Sequence, residues 1–368
     1  METSILNATI QLLLTLVGVT FLFALAQVDG TMEALARKAI SLCRGRAPLL
    51  PLMFFLLTAL LASVGPGAIL ATALVAPFAM QTGVRSGVPP FLISLMVANG
   101  ANAGNMSPFS TVGVIANSLL LKANLGGHEY RIWFFHALAH ILVALGAYLL
   151  FGGLALWQHS SETSIEDSKE LSRANWRSAA VLFAWILAVI IWRLPLGWSA
   201  LAAALVLVLF KPQQLMPSIR KMPWRVIALV VSISTAVGFL ERTGALAWFE
   251  NLIARSSTPQ TIHPLLAFVT GLISAYSSTS GVVLPAFLPL VPGLAGHLPG
   301  TDAFALAVSI IIGSALVDVS PLSTLGALCL AAAPAGSDNG TLFRNLMIWG
   351  FAMAFVGAAF CWIASPWF

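Results

Sequence analysis

Ionisable side chains are scarce in this sequence. Asp, Glu, Lys and Arg make up only 8% of the 368 residues, whereas hydrophobic residues make up 59%. A typical soluble domain carries about 25% charged residues, so this composition excludes an ordinary soluble protein. The sequence predicts an all-α protein that crosses a membrane several times.

Cysteine is also rare, and basic residues form no patch. The three cysteines, Cys43, Cys329 and Cys361, are scattered in or beside apolar stretches. This pattern excludes a disulfide framework and a cysteine metal site. The net charge of +5 comes without a Lys/Arg-rich face bearing interleaved aromatic residues, so we expect no nucleic-acid partner. The bias of cytoplasmic loops toward Lys and Arg explains the charge better.

Motifs of the common enzyme classes are missing as well. The chain has no Gly-x-Ser-x-Gly, no His-Glu-x-x-His, no paired aspartates and no nucleotide-binding motif. His136 and His140 have the i, i+4 spacing of metal ligands, but no acid or third ligand accompanies them, so we interpret them as buried polar residues. We expect neither catalysis nor a cofactor. An intramembrane enzyme or a structural membrane subunit is the alternative class.

One heptapeptide occurs twice. Residues 107–113 read SPFSTVG and residues 320–326 read SPLSTLG, and each copy lies within an apolar run, 90–121 or 303–333. Each run is longer than the roughly 20 residues of one membrane helix. Proline is expected to break it, with Ser107 or Ser320 as the N-cap of the half-helix that follows. The free N–H groups of such a half-helix attract anions.

Two other apolar stretches are interrupted at small residues. The stretch 48–80 is interrupted at residues 63–67, and the stretch 264–292 at residues 277–281. In the first stretch each arm has only about 15 residues, which is short for a crossing. A Gly-Pro-Gly tip would also be hard to satisfy against lipid. Both stretches are therefore predicted to be re-entrant hairpins.

These elements predict two inverted repeats, each with a re-entrant hairpin and a broken transmembrane helix. The first repeat would span residues 1–157, a cytoplasmic linker 158–177, and the second, inverted repeat 178–368. Residues 241–246 match residues 27–32, which extends the repeat. Two short spans, at 178–192 and 198–210, have no counterpart in the first repeat. The distribution of Lys and Arg predicts that the first hairpin opens from the cytoplasm and the second from outside.

Together these motifs resemble the MatC-like dicarboxylate carriers of the ion transporter superfamily. The resemblance is carried by a Gly-containing polar helix, the Ala-rich hairpin with its Gly-Pro-Gly tip, residues 99–104 (NGANAG) and the Ser-Pro-x-Ser-Thr repeat. It covers most of the chain and is strongest over residues 19–122. It implies hairpins and broken helices that hold an anion and a cation together. Where that superfamily often has Ser-Asn-Thr at the hairpin tips, this chain has Ser-Val-Gly at 63–65 and Ser-Thr-Ser at 278–280.

The expected activity is secondary transport of malonate or a C4 dicarboxylate across the inner, cytoplasmic membrane by an elevator-like motion. Na⁺ or H⁺ would be the coupling ion. Because the four segments contain no Lys or Arg, hydroxyl, amide and backbone groups are the predicted substrate contacts. They come from Ser63, Gly65, Gly67, Asn102, Ser107, Ser110, Thr111, Ser278, Thr279, Ser280, Ser320, Ser323 and Thr324. For any single Ser or Thr, a bond within its own helix is the alternative.

Coupling ions are predicted at two related positions, because side-chain oxygens and freed carbonyls suit hard cations. One position would use Asn102, Asn105 and Ser110, and the other Asp318 and Ser323. Asp318 is the only carboxylate inside a predicted membrane segment, and it can carry a proton when no cation is bound, whereas its counterpart Asn105 cannot.

Two alternatives concern Asp318. It could make only a structural bond to Ser320 or Ser323 at the helix break. It could also be the centre of a cation/proton antiporter that binds no organic anion. The expected partners are a dicarboxylate and the lipid bilayer, and a homodimer is left open.

Overall fold

A computed structural model describes residues 2–32, 46–65, 67–157, 172–192, 194–222, 245–334 and 337–368, together with residues 34, 224, 227, 228 and 232. Helices are the regular elements of these ranges, which contain no β-strand. Five described helical segments are long and apolar enough to cross a membrane, with Ala303–Ala331 counted as one segment across its break, or six if one bent pair counts as a single span. The all-α, multi-pass fold class is confirmed.

Fifteen helices are numbered here along the described residues. They are α1 Glu2–Val28, α2 Leu49–Val64, α3 Gly67–Arg85, α4 Pro90–Asn105, α5 Thr111–Lys122, α6 Glu129–Leu150, α7 Arg173–Trp192, α8 Leu196–Phe210, α9 Leu215–Lys221, α10 Ala245–Arg255, α11 Ile262–Ser274, α12 Thr279–His297, α13 Ala303–Val317, α14 Thr324–Ala331 and α15 Asn339–Ala364. α12 begins with a π-helical turn, Thr279–Val283, and contains a 3₁₀ turn, Leu288–Leu290.

Helices α2–α6 and α11–α15 form two sets with the same order of elements: two arms of a hairpin, two halves of a broken helix, and a long helix. α2 packs on α4 as α11 packs on α13, and α4 packs on α6 as α13 packs on α15. A Cβ on Gly100 would lie 2.2 Å from the Phe55 carbonyl oxygen, and one on Gly313 would lie 2.3 Å from that of Ala267. These glycines therefore permit close helix packing. The inversion of the second set stays a prediction. The re-entrant course of the two hairpins also stays a prediction.

Each half-helix that follows a break packs against the other set. α14 contacts α3 and α4, and its Leu325 and Cys329 lie in a core shared with Leu92. α5 contacts α12, and its Ile115 shares a core with Leu288. The two sets are therefore interlocked, which the sequence did not predict.

The first helix packs against the two spans that have no counterpart in the first repeat. A Cβ on Gly18 of α1 would lie 2.5 Å from the Gly197 carbonyl oxygen of α8. The carboxylate of Asp29, which follows α1, accepts a hydrogen bond from Ser178, and its carbonyl accepts one from Asn175 Nδ2 at 3.0 Å. α1, α7 and α8 therefore form one packed unit.

Some boundaries differ from the predictions. α3 has 19 residues and runs past Met80 to Arg85, so this arm is longer than predicted, because the polar residues at its end continue the helix. The apolar sequence predicts a span from about Ile132 to Trp157, but α6 begins at Glu129 and ends at Leu150, where a turn follows. Pro66, Cys43, residues 158–171 of the linker and residues 241–244 of the repeat match lie outside the described residues.

Candidate functional site: two helix breaks and two hairpin tips

Both predicted helix breaks are confirmed. α4 ends at Asn105 and α5 begins at Thr111, while α13 ends at Val317 and α14 begins at Thr324. Pro108 and Pro321 lie in the turns between the half-helices.

The N-cap prediction for Ser107 and Ser320 is wrong. Ser110 and Ser323 hold the cap positions with extended backbones. Ser107 Oγ instead accepts a hydrogen bond from Phe109 N at 3.3 Å, and Ser320 Oγ accepts one from Leu322 N at 3.4 Å. These serines close the turn that contains the proline, and helical dihedrals resume only after that turn. Ser320 also packs against α15, where a Cβ on Gly350 would lie 2.8 Å from Ser320 Cβ.

The first hairpin tip contacts the first break directly. Gly65 O accepts hydrogen bonds from Thr111 Oγ1 at 2.8 Å and from Thr111 N at 3.2 Å. Asn105 Oδ1 accepts from Ala68 N at 3.1 Å and from Ser110 Oγ at 3.5 Å. The structure thus brings Gly65, Asn105, Ser110 and Thr111 together, and all are buried.

Two glycines at this tip have positive φ angles, for different local reasons. Gly65 has φ +154°, and a Cβ there would lie 1.8 Å from the Phe23 ring of α1. Its missing side chain makes room for an aromatic residue, so close packing accounts for it. Gly67 has φ +75°, and a Cβ there would meet Thr111 Cβ at 3.6 Å and Asn105 Oδ1 at 3.7 Å. Gly67 therefore lies against the polar groups of the break.

Two predicted site residues point away from this tip. Ser63 Oγ donates to Ala59 O at 2.6 Å. This is a bond within its own helix, which was the alternative stated for any single Ser or Thr. Asn102 Nδ2 donates to Ala315 O of α13 at 3.0 Å. Asn102 therefore joins the two broken helices, and its grouping with Asn105 and Ser110 around one ion stays a prediction.

The second hairpin tip also contacts the second break, through residues one position earlier in the repeat than those of the first contact. Ser323 Oγ hydrogen-bonds with Ser277 O at 3.1 Å and with the Asp318 carboxylate. Thr279 Oγ1 donates to Ser314 O at 3.1 Å and lies 2.8 Å from Ser274 Oγ. The bond between Asp318 and Ser323 is the structural bond named above as an alternative.

The remaining residues of this tip extend the polar group, and Ser278 among them is half-buried. Ser278 Oγ accepts from Gly281 N at 3.2 Å and lies 3.3 Å from Ser280 Oγ. Thr279, Ser280, Asp318 and Ser323 are buried, whereas Thr324, the first residue of α14, is half-buried. The tip and the break therefore form one polar cluster inside an apolar protein.

The two breaks lie beside each other. Asn102 and Ala315, which are in contact, are 213 residues apart, the same separation as between the two copies of the heptapeptide. Asn105 and Asp318 each follow three residues later on their helices, so both polar clusters flank this contact.

Helix α6 supplies donors that the sequence analysis did not assign to the site. In a continuing helix the N–H of Met106 would bond to Asn102 O. Here it bonds to Gly104 O instead. His136 Nε2 lies 2.9 Å from Asn102 O, and Trp133 Nε1 donates to Ala103 O at 3.0 Å. Two carbonyls near the end of α4 are therefore already paired. The i, i+4 spacing of the histidines was visible in the sequence, but their partners were not.

Comparisons with known proteins agree with this architecture. Residues 5–105 match the family model described as dicarboxylate carrier protein MatC N-terminus, which confirms the resemblance over α1 to α4. No curated protein sequence matches the chain. Among solved structures, MtrF of Neisseria gonorrhoeae, described as illuminating a class of antimetabolite efflux pumps, aligns with a TM-score of 0.62 at 13% identity. The alignment covers 99% of this chain and 83% of MtrF, and it establishes a similar fold.

Proposed function

We propose that this protein is a secondary active transporter that moves a small dicarboxylate, malonate or a C4 diacid, across the cytoplasmic membrane together with a coupling cation. The match of residues 5–105 to the MatC model supports the substrate class. The multi-pass helical fold, which resembles that of MtrF, supports transport.

The observation that carries the proposal is the pair of contacts between hairpin tips and helix breaks, Thr111 to Gly65 O and Ser323 to Ser277 O. These contacts gather hydroxyls and the N-termini of α5 and α14 in segments that lack Lys and Arg. Helix N-termini and hydroxyls attract carboxylates through N–H groups and the helix dipole. A dianion held between the two ends would need no basic side chain.

The coupling cation would bind beside the anion. Oxygens of Asn105 and Ser110 surround the first tip, and those of Asp318 and Ser323 the second. Hard cations such as Na⁺ favour such oxygen ligands. In an elevator-like motion, the two interlocked sets would move as one body relative to α1, α7 and α8.

The test is uptake of radiolabelled C3 to C5 dicarboxylates into proteoliposomes under an imposed Na⁺ or pH gradient. We expect saturable uptake of one diacid that depends on one of the two gradients. Uptake that is equally fast with and without Na⁺ at fixed pH would exclude Na⁺ as the coupling ion. Absence of uptake for every diacid would contradict the proposal.

A cation/proton antiporter centred on Asp318 is the second candidate, and the hydrogen bonds of Ser323 favour it. The Ser323 hydroxyl carries one hydrogen but lies within bonding distance of two acceptors, Ser277 O and Asp318. A protonated Asp318 would donate to Ser323 Oγ and leave that hydrogen for Ser277 O. Proton flux driven by a Na⁺ gradient, without uptake of any diacid, would favour this candidate.

A further inference from the structure

A cleft with two basic side chains lies where α1, α7 and α8 meet the turn that leads into α9. Its lining combines two cations, an amide and two buried apolar side chains: Arg177, Lys211, Gln214, Leu25 and Leu207. It shares no residue with the helix breaks and hairpin tips. The cleft is therefore a second polar feature, located in the helices that have no counterpart in the first repeat.

The backbone after α8 brings Lys211 and Gln214 to the same side. Gln214 N donates to Lys211 O at 3.0 Å, and this bond closes the 3₁₀ turn Pro212–Gln214. Side chains three residues apart on such a turn point in the same direction. The chain bends by 119° between α8 and the segment that contains α9, and α9 packs against α1. The cleft therefore lies at a fixed corner of the backbone.

Two contacts hold Arg177 beside this corner. Its guanidinium carbon lies 5.8 Å from the centroid of the Phe210 ring, in a cation–π contact, and Phe210 directly precedes Lys211. The next residue on α7, Ser178, donates a hydrogen bond to the Asp29 carboxylate at the end of α1. The start of α7 is thereby attached to α1, and the Arg177 side chain is attached to α8.

Within the part of the chain that the structure describes, neither cation has an acidic partner. The cation–π contact is the side-chain interaction described for Arg177, and Lys211 makes no ion pair with a described residue. The nearest carboxylate along these contacts, Asp29, already accepts hydrogen bonds from Thr31 and Ser178. Two like charges that line one cleft repel each other, and a bound anion would remove that cost.

The surroundings of the cleft indicate the surface of a bilayer. Trp176 and Phe210, the neighbours of the two cations in the chain, are exposed, and exposed aromatic residues are enriched where membrane meets water. The distribution of Lys and Arg predicts that this end of α8 faces the cytoplasm. Basic residues at such helix ends need no ligand by themselves, but basic pockets between membrane helices bind the head groups of anionic lipids.

We propose that this cleft binds the phosphate group of an anionic phospholipid, with Arg177 and Lys211 as its cationic contacts and the Gln214 amide as a further donor. The guanidinium presents a fork of N–H donors that fits phosphate oxygens, and the ammonium adds a compact charge. The exposed apolar side chains beside the cleft are the surface for the acyl chains. A lipid bound here would hold α1, α7 and α8 together, whatever the protein transports.

Lipid binding is measured on the purified full-length protein in neutral detergent, after native lipids have been removed. Short-chain phosphatidylglycerol and phosphatidylcholine are titrated separately, and bound molecules are counted by native mass spectrometry. We expect one saturable phosphatidylglycerol site and weaker binding of phosphatidylcholine, whose choline cation offsets its phosphate. Inorganic phosphate is added in a third arm, against sodium chloride of equal ionic strength. Phosphate that displaces the lipid at comparable concentration would assign the site to a soluble phosphate compound and overturn the lipid source.

Three variants locate the site. Arg177→Gln and Lys211→Gln should each weaken phosphatidylglycerol binding about tenfold, because each removes a charge-assisted hydrogen bond. Arg220→Gln is the matched control: Arg220 is an exposed basic residue of α9 that does not line the cleft, so its loss removes the same charge and should leave the affinity at the wild-type value. Equal weakening in all three variants would reduce the effect to general surface charge and overturn the proposal.

The linker before α7 is the competing occupant, because it carries four acids outside the described residues: Glu162, Glu166, Asp167 and Glu170. A variant with all four changed to their amides should bind phosphatidylglycerol as the wild type does. If only this variant binds the lipid, the linker fills the cleft and the proposal is overturned, as it is if neither protein shows a saturable site. None of these measurements uses transport, so a failure of dicarboxylate uptake would leave their result unchanged.

Discussion

Asn105 and Asp318 occupy equivalent positions and differ in one chemical property. Each accepts a hydrogen bond from the serine that caps the following half-helix, Ser110 or Ser323. The Asn105 amide also accepts from Ala68 N and cannot take up a proton, whereas the Asp318 carboxyl can. The two clusters are therefore expected to respond differently to pH.

Replacing Asp318 tests this difference. If the ionised carboxylate binds the coupling cation, uptake falls on acidification as Asp318 takes up a proton. Asp318→Asn keeps the shape of the side chain and copies the first repeat, so it should flatten that fall. The measurement is the initial uptake rate against pH in proteoliposomes at limiting and saturating cation.

The control for this experiment is Asn105→Ala, which should weaken binding without changing the pH profile. An Asp318→Asn protein with the wild-type profile and the wild-type cation affinity would reduce Asp318 to a structural residue of the break.

The two half-helices begin with the same close approach to the preceding turn. A Cβ on Gly113 would lie 2.0 Å from Ser107 O, and one on Gly326 would lie 2.2 Å from Ser320 O. Real Cβ atoms do not approach so closely, so the third residue of each half-helix must lack a side chain. The heptapeptide repeat ends in glycine for this reason.

Gly113→Ala and Gly326→Ala should therefore displace the half-helices. Overpacking of this kind costs about 1–3 kcal/mol, and we expect lower melting temperatures in detergent. Gly146→Ala is the matched control, because it lies in α6 and a Cβ there meets nothing within 4 Å. Melting temperatures of the first two variants equal to that of Gly146→Ala would contradict the assigned contacts.

The beginning of α15 depends on an exposed cap. Asp338 accepts hydrogen bonds from the Thr341 hydroxyl and from Thr341 N at 2.9 Å, and these bonds lower the pKa of Asp338. Because this pKa is lower in the folded protein, the cap stabilises the helix at pH values above the pKa of an unfolded Asp, about 3.9. That stabilisation is lost as the pH falls through the folded value.

Hydrogen exchange at residues 339–343 should report this cap. After correction for intrinsic rates, we expect protection in the wild type to decrease on acidification. In Asp338→Asn, which caps a helix without titrating, protection should stay constant. In Asp338→Ala these amides should be poorly protected both at neutral pH and at acidic pH. Wild-type protection that does not change on acidification would contradict the role of Asp338.

The two sets of helices are joined at their centre and cannot be separated into independent domains. α14 packs on α3 and α4, α5 packs on α12, and Asn102 bonds to Ala315 across the two breaks. The two broken helices are therefore in direct contact.

A disulfide between Asn102→Cys and Ala315→Cys, with the native cysteines replaced by serine, tests this contact. The side chain of Asn102 reaches the main chain of Ala315 at 3.0 Å, so we expect the pair to oxidise readily. Each single-cysteine variant is the control. The readout is the mass of the fragment released by cleavage between the two positions, with and without reductant. Failure to cross-link under oxidising conditions would contradict the position of the breaks.

The sequence alone determined the class of the fold and the location of the helix breaks and hairpin tips. Composition indicates a membrane protein, because few charges remain in a long apolar chain. The Ser-Pro heptapeptides locate the breaks, since proline in the interior of an apolar run removes a helical hydrogen bond. The small residues at 63–67 and 277–281 locate the tips. All of these depend on properties that act within a few residues.

Only the tertiary structure decided how these elements meet. The N-cap lies at Ser110 and not at the predicted Ser107, because the turn after the proline extends further than its composition indicates. It paired Asn102 with Ala315 and brought His136 to the end of α4. It also interlocked the two repeats. Each of these contacts joins residues far apart in the chain, and their choice depends on how whole helices pack, which no local pattern encodes.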